Sequence, residues 1–126
     1  MIKIYYKTNC NSSQKAMSWL DKHELEIEKL SINQLEKKDI IEILSLTQEG
    51  ILSIIKSPAL SSMKIKHTIS YISEMSFNDA IDFICHHFYI LRTPIIIEKN
   101  NLLIGYHEEE IRKFIPRDYR RLKQYR

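Results

Sequence analysis

A cysteine-containing polar turn lies between a strand pattern and a helix pattern near the start of the chain, and this arrangement constrains the fold more than any other feature. Ile2–Tyr6 alternates apolar and polar residues of β-branched and aromatic type, which predicts a strand. Residues 8–13 are polar and rich in helix-capping types, and the helix after them is expected to end near His23. Its apolar face carries Ala16, Trp19 and Leu20. Alternation over residues 24–31 predicts a second strand, so the chain opens with a β-α-β unit.

The middle of the chain is predicted to be helical. After Asn33, the predicted cap, apolar residues recur at helical spacing: Ile40, Ile41, Leu44 and Leu46. Gly50 is expected to end that helix or to open the next turn. A further amphipathic helix is predicted from its cap Ser76 to about His87, with Asp79 at the third position.

Two short apolar runs, residues 93–98 and 102–106, surround an Asn-Asn turn and predict a β-hairpin. Pro94 has no N–H for a sheet ladder, so it marks the start of the first hairpin strand, and a trans bond before it is expected. A last helix is predicted over residues 108–114, ended by Pro116. The order of elements predicts an α/β fold of thioredoxin-like type, with a mixed four-stranded sheet and helices.

The net charge of +3 is unevenly distributed along the 126 residues. Residues 1–116 carry a net charge of −1, whereas residues 117–126 carry +4. The positive charges of this tail are Arg117, Arg120, Arg121, Lys123 and Arg126. Five cations bind nucleic acid only weakly and in a salt-sensitive way. The tail is therefore a candidate for weak contact with DNA. The alternative is a tail that is simply solvated, as most short basic tails are.

The composition argues against membrane and secreted classes of protein. No apolar run approaches the ~20 residues that span a bilayer, and the first residues lack the charged region and cleavage site of a signal peptide. We therefore expect a soluble, cytoplasmic protein with no membrane partner. Cys10 and Cys85 are too few for a disulfide scaffold and are expected to be thiols in a reducing compartment.

Cys10 is the first candidate for chemistry. It lies at the predicted N-terminus of the first helix, where unpaired N–H groups lower the pKa of a thiol. A redox pair would place a second cysteine three residues later, but Ser13 occupies that position, so this CxxS turn cannot form a local disulfide. Cys10 is either a reactive monothiol or a capping cysteine with no redox role, and the residues alone favour neither interpretation.

Other chemical motifs are weaker. Cys85 stands in an apolar stretch and is predicted to be a small buried hydrophobe. His86 and His87 are adjacent, whereas metal ligands on a helix need a spacing of three or four residues, so no metal site is expected. The sequence contains no glycine-rich phosphate loop, catalytic carboxylate pair or Ser/His/Asp pattern, and we expect neither a catalytic residue nor a cofactor.

Three groups of residues carry a family resemblance. In the first turn and helix they are Tyr5, Cys10, Ser12, Lys15, Ala16, Trp19, Leu20, His23 and Glu24. In the middle they are Ile43, Leu44, Leu46, Thr47 and Gly50. In the last part they are residues 91–97, Gly105, Tyr106, Glu108, residues 110–112 and residues 114–117. With these residues, in one order and at nearly constant spacing from residue 1 to about 117, the chain resembles the Spx proteins of the ArsC family.

This resemblance implies a single domain with a thioredoxin-like core at about residues 1–31 and 91–117. A helical region at about residues 32–90 would interrupt that core, and the basic tail would cover residues 118–126. It also implies a stress-related transcription regulator that binds the C-terminal domain of the RNA polymerase α subunit and contacts promoter DNA indirectly or weakly. Gly50 matches the glycine at the polymerase contact of that family, and Cys10 matches the first cysteine of its thiol switch.

The chain departs from the family pattern where chemistry would be expected. Ser13 replaces the second switch cysteine, Thr93 stands where arsenate reductases of the family have an arginine before the strand proline, and Pro58 lies at or near another such arginine. A threonine hydroxyl cannot reproduce the bidentate recognition of an oxyanion by a guanidinium. The first hypothesis is therefore a regulator without a local disulfide switch. The alternative is a monothiol oxidoreductase, arsenate-reductase-like or glutaredoxin-like, that uses Cys10, and a third is a DNA-binding module driven by the basic tail.

Overall fold

A four-stranded sheet with the order β2-β1-β3-β4 is present in the computed structural model, which describes residues 1–58 and 61–116. The strands are β1 (Ile2–Tyr6), β2 (Ile27–Ser31), β3 (Ile95–Glu98) and β4 (Asn101–Ile104). β1 pairs antiparallel with β3, with Ile4 opposite Ile96, and β3 pairs antiparallel with β4, with Ile96 opposite Leu103. The predicted mixed four-stranded sheet and its hairpin are confirmed.

Four α-helices lie in the described part of the chain. They are α1 (Asn11–Lys22), α2 (Lys37–Ser45), α3 (Met63–Ile72) and α4 (Phe77–Cys85). Among these described helices, none is both long enough and apolar enough to cross a bilayer. Short 3-10 helices include Gly50–Ser53, Phe88–Ile90 and Glu110–Phe114. The last of these replaces the α-helix predicted for residues 108–114: the N–H of Ile115 bonds to the carbonyl of Arg112, three residues back, at 3.0 Å.

The chain divides into two compact units. The first contains residues 1–30 and the chain from Thr93 onward, and the second contains residues 31–92. The core of the first unit is a cluster of buried side chains from the sheet, α1 and the last 3-10 helix: Ile2, Ile4, Ala16, Leu20, Ile96, Leu103, Ile111 and Phe114. Because the buried residues of α1 recur at helical spacing, one face of that helix packs on the sheet and the opposite face is left to solvent.

The second strand begins later than residue 24, where the sequence pattern placed its start. Glu24 follows the C-terminus of α1 with a left-handed φ of 55°, and its N–H bonds to the carbonyl of Asp21 at 3.0 Å. The chain thus uses residues 23–26 to leave the helix, and β2 starts only at Ile27. Alternation in the sequence does not distinguish this exit turn from the strand that it precedes.

In the second unit, α2 packs against α4, and an ion pair between Lys37 Nζ and Asp82 Oδ1, 3.1 Å apart, joins the two helices at the surface. The predicted cap of α4 is confirmed: Ser76 Oγ accepts the N–H of Asp79 at 3.2 Å. The predicted cap Asn33 is wrong, because it lies within the 3-10 helix Ile32–Gln34. The residue that caps α2 is Glu36.

Helix α3 was not assigned from the sequence, although a signal for it exists. Its apolar positions Ile65, Ile69 and Ile72 have the spacing of one helix face, and Ile69 and Ile72 are buried. Ser62 caps it by accepting the N–H of Ile65 at 3.3 Å. Phe77, the first residue of α4, is 53% exposed.

Candidate functional site

Cys10 is the N-cap residue of α1, which confirms its predicted place at the helix N-terminus. Its backbone is extended, and its Sγ accepts the N–H of Ser13 at 3.4 Å, as a capping side chain does. The carbonyl of Cys10 accepts the first helical N–H, that of Gln14, at 3.1 Å. The thiol is partly exposed, so it can be reached from solvent while it faces the positive end of the helix.

Thr93 also contacts the sulfur of Cys10, although it lies 83 residues away in sequence. The hydroxyl of Thr93 donates to Cys10 Sγ at 3.2 Å, and its carbonyl oxygen lies 3.6 Å from the same sulfur, where it can accept the S–H. One residue thus offers an acceptor to the thiol and a donor to the thiolate. The sequence identified Thr93 only as the replacement of an arginine, and its contact with Cys10 was missed.

The pKa of Cys10 results from two opposing influences. Burial raises the pKa of the Cys10 thiol, but hydrogen bonds outweigh it and hold the pKa below its ordinary value. These bonds come from the side chains of Ser13 and Thr93 and from the N–H groups of Ser13 and Ser12. The thiolate, which is the nucleophilic form of a cysteine, is therefore more accessible at Cys10 than at a cysteine without these bonds.

Ser13 occupies the place of a second cysteine and is fully buried. Its Oγ accepts the N–H of Lys7 at 3.3 Å, which leaves its hydroxyl hydrogen free to bond to Cys10 Sγ. Ser13 therefore connects the end of β1 to the sulfur and stabilises the thiolate. It cannot form a disulfide.

The bond between Thr93 and Pro94 is cis, which corrects the expected trans isomer. Pro94 is buried, and its carbonyl accepts the N–H of Gly105 at 2.8 Å. Gly105 has a φ of 84°, a value that glycine adopts without steric cost. The sequence carries only the general preference of X-Pro bonds for trans.

Gly50 opens the 3-10 helix Gly50–Ser53 in the second unit, with a φ of 73°. Apart from its chain neighbours, no atom of the described residues would lie within 4 Å of a methyl group added at its Cα, so the glycine is needed for its backbone conformation and not to make room inside the unit. Next to it, the side chain of Leu52 is 67% exposed. The turn therefore presents open backbone beside an exposed apolar side chain.

The Gly50 turn is anchored from two directions within the second unit. Ser53 Oγ donates to the carbonyl of Gly50 at 2.6 Å. Arg92 donates its N–H to the carbonyl of Ile54 at 2.9 Å and its guanidinium to the carbonyl of Ser53 at 3.5 Å. Arg92 directly precedes Thr93 in the chain, and this bond shows that its guanidinium contributes to the turn after Gly50.

Cys85 differs from its prediction as a buried hydrophobe. It is the last residue of α4 and is partly exposed. Burial raises the pKa of the Cys85 thiol, and the negative charge of Asp82 raises it further. The thiolate form is thus less favoured at Cys85 than at Cys10. Among residues 1–58 and 61–116, no group of three or more His, Cys, Asp or Glu side chains is arranged to hold a metal ion.

The basic residues proposed for nucleic-acid contact lie outside the described residues. They are Arg117, Arg120, Arg121, Lys123 and Arg126.

Comparison with known proteins gives a consistent result. The model of the ArsC family matches residues 5–114. A global transcriptional regulator Spx from Streptococcus agalactiae is 37% identical, over 98% of this chain and 91% of the relative. Spx 2 from Bacillus cereus is also 37% identical, over 95% of this chain and 91% of the relative.

Solved structures are similar in fold. A Staphylococcus aureus protein matches with a TM-score of 0.74 at 17% identity, covering 90% of this chain and 97% of that one. An arsenate reductase from Vibrio cholerae matches with a TM-score of 0.64 at 12% identity, covering 89% and 92%. At these identities the likeness concerns the fold alone, and the fold is thioredoxin-like.

Proposed function

The chain belongs to the ArsC family, and from this membership we propose that it acts as a Spx-like transcription regulator and not as an enzyme. In this proposal the surface around Gly50 binds the C-terminal domain of the RNA polymerase α subunit. Contact with promoter DNA is indirect or weak, and the protein works in the cytoplasm during stress. The full-length similarity to regulators named Spx supports the choice of class.

The observation that carries the proposal is the set of groups around Cys10. Its sulfur is in contact with the hydroxyl and carbonyl of Thr93 and with the N–H of Ser13. A local disulfide switch would need a thiol at Ser13, and arsenate reduction would need cationic forks that bind the oxyanion. Neutral hydroxyl groups occupy both places. The turn keeps its geometry without the groups that the family's chemistry uses.

The Gly50 turn has the features of a protein-binding surface. The space beside the glycine is open, and Leu52 is largely exposed. Helix α2 packs against the same turn, and its residue Ile41 is 44% exposed. Exposed apolar side chains beside accessible backbone permit close approach of a partner, and burial of their apolar surface in the contact favours association.

The test is a binding measurement with the purified C-terminal domain of the α subunit. We expect Gly50→Arg to abolish binding, because a long side chain would occupy the space that the partner enters. A positive φ like that of Gly50 costs most other residues about 1–2 kcal/mol. Gly50→Arg alone therefore does not separate the effect of backbone strain from that of steric obstruction.

The matched control is Gly50→Asn, since asparagine tolerates the left-handed conformation better than other non-glycine residues. We expect Gly50→Asn to keep the native circular dichroism spectrum and to bind more weakly than the wild type. Met63→Ser, which changes an exposed apolar residue on α3, should bind normally. Unchanged binding by a folded Gly50→Arg protein would overturn the placement of the interface.

One observation favours a second candidate function, that of a monothiol oxidoreductase. Cys10 has an accessible sulfur that accepts a hydrogen bond from the hydroxyl of Thr93, and its pKa is below its ordinary value. An assay with arsenate and with glutathione or glutaredoxin separates the two candidates. Turnover that disappears in Cys10→Ser would establish the enzyme, whereas its absence from the wild type supports the regulator.

A further inference from the structure

An open pocket lies on the solvent-facing side of α1, in the first unit. Its volume is about 370 Å³, and it is lined by Gln14, Lys15, Ser18, Trp19, Lys22 and Tyr106. Five of these residues belong to α1, and Tyr106 follows the left-handed Gly105 that ends the hairpin. Cys10 does not line it, and all of its residues lie outside the second unit that contains Gly50.

The walls of the pocket are aromatic and fixed in place. Trp19 and Tyr106 are partly buried and pack against the core cluster of the first unit. One face of the Trp19 ring is covered by the ring of His23, with centroids 3.9 Å apart, and His23 Nδ1 bonds to the carbonyl of Trp19 at 2.8 Å. Because the rings are already ordered, a ligand that contacts them loses little additional conformational entropy.

The rim of the pocket is positively charged. Lys15 and Lys22 are exposed, and within residues 1–58 and 61–116 neither forms an ion pair. Seven residues of helix nearly complete two turns, so the two lysines lie on the same side of α1 and about 10 Å apart along its axis. No carboxylate lines the pocket, so its charge is complementary to an anionic ligand.

We propose that this pocket binds an acidic, extended peptide segment of a partner protein, with an apolar side chain between Trp19 and Tyr106 and carboxylates on Lys15 and Lys22. In an extended chain, alternate side chains point to the same face, and the first and fifth residues are about 13 Å apart. Two acidic residues in those positions reach both lysines, whose side chains are long and flexible, and the third residue faces the aromatic walls.

A peptide fits this pocket better than a small molecule does. Small-ligand sites enclose most of the ligand surface. This pocket is formed by one helix face and one residue after a strand, and it is open to solvent along its length. A peptide is not limited in this way, because it continues beyond both ends of the pocket and its neighbouring residues contribute further contacts.

The experiment uses the full chain and a short blocked peptide in which two glutamates flank a central leucine, with one glycine between each pair. Trp19 is the sole tryptophan, so its fluorescence reports binding in this pocket directly. We expect saturable quenching or a spectral shift that weakens as salt is added. Lys15→Glu and Lys22→Glu should each raise the dissociation constant by about fivefold or more, because each replaces an exposed attraction with a repulsion.

Matched controls separate this site from general charge effects. Lys38→Glu makes the same charge change at an exposed helical lysine of the second unit and should leave the dissociation constant unchanged. A peptide with glycine in place of leucine should bind more weakly. Gly50→Asn should bind the peptide normally, so failure of the polymerase hypothesis and failure of this one are distinguishable.

Several outcomes would overturn the proposal. They are no change in Trp19 fluorescence with the peptide, equal binding of the peptide that lacks leucine, and equal loss of affinity in Lys38→Glu. Displacement of the peptide by inorganic phosphate at equal concentration would show a simple anion site and would also overturn it. Deletion of residues 117–126 should leave the affinity unchanged, and a marked loss would show that the basic tail, and not the pocket, binds the acidic peptide.

Discussion

The cysteine turn of the first unit and the glycine turn of the second are constructed in opposite ways. Around Cys10, contacts from Ser13 and Thr93 converge on one sulfur atom from two distant parts of the sequence. Around Gly50, the nearest space is empty and the neighbouring Leu52 is largely exposed. The first turn satisfies its polar groups internally, whereas the second leaves backbone and apolar surface available to a partner.

The two turns therefore suit different functions, the first a chemical reaction and the second the binding of a partner. A reactive site depends on a few groups at fixed distances, and at Cys10 the hydroxyl groups of Ser13 and Thr93 stand where the family resemblance implies a cysteine and an arginine. Under our proposal, these two differences remove the chemistry that the positions support in the family. A binding surface depends on exposure and backbone shape, and both are present at Gly50. The comparison therefore favours a regulator over an enzyme.

The largest expected effect concerns stability. Ile96 is fully buried in β3, so Ile96→Ala should lower the free energy of unfolding by about 2–5 kcal/mol, because it leaves a cavity in the core. Leu52→Ala, in the exposed turn, should change it by about 0.5 kcal/mol or less. Urea titration followed by circular dichroism measures both. Similar losses of unfolding free energy in the two variants would contradict the contrast between the packed interior of the first unit and the open surface at Gly50.

The next effect concerns binding to the C-terminal domain of the α subunit. Leu52→Asp should raise the dissociation constant about thirtyfold, as expected for a central apolar contact, whereas Cys10→Ser should leave it unchanged. Isothermal titration calorimetry measures both variants. If Cys10→Ser weakened binding as much as Leu52→Asp did, the two turns would share one function and the comparison would fail.

A third experiment restores the missing thiol. In Ser13→Cys, the added sulfur occupies the position of the second cysteine of a CxxC turn, and we expect mild oxidation to form a disulfide with Cys10. Mass spectrometry after a thiol-blocking reagent detects it as protection of both cysteines. The wild type treated in parallel should retain two reactive thiols, Cys10 and Cys85. Failure of the variant to form the disulfide would show that the turn differs from a CxxC switch in its geometry as well as in the missing sulfur atom.

The smallest effect concerns the pKa of Cys10. Thr93→Val removes the hydroxyl that donates to the sulfur, so the thiolate loses a stabilising bond and the pKa of Cys10 should rise. The pH profile of alkylation should move to higher pH, measured in a Cys85→Ser background so that only one thiol reacts. Thr93→Ser keeps the hydroxyl and should keep the wild-type profile. A profile unchanged in Thr93→Val would exclude the hydroxyl as a significant donor.

The fold was largely predictable because most of its signals are local. The alternation of β1, the two apolar runs of the hairpin and the cap Ser76 depend on residues close in sequence, and each was confirmed. Errors occurred where local signals compete. Asn33 has the type of a capping residue, but it lies in the 3-10 helix Ile32–Gln34, and α2 begins after Glu36, a residue type that does not signal a cap.

The candidate sites were predictable only in part. Spacing within one turn was enough to predict a cysteine at a helix N-terminus with no second cysteine three residues later. Contacts between distant residues were not predictable: the bond of Thr93 to Cys10 and the pocket lined by Trp19 and Tyr106 exist only in the folded chain. Short-range hydrogen bonds are encoded by neighbouring residues, whereas groups some 80 or more residues apart meet only when the sheet and its core have formed.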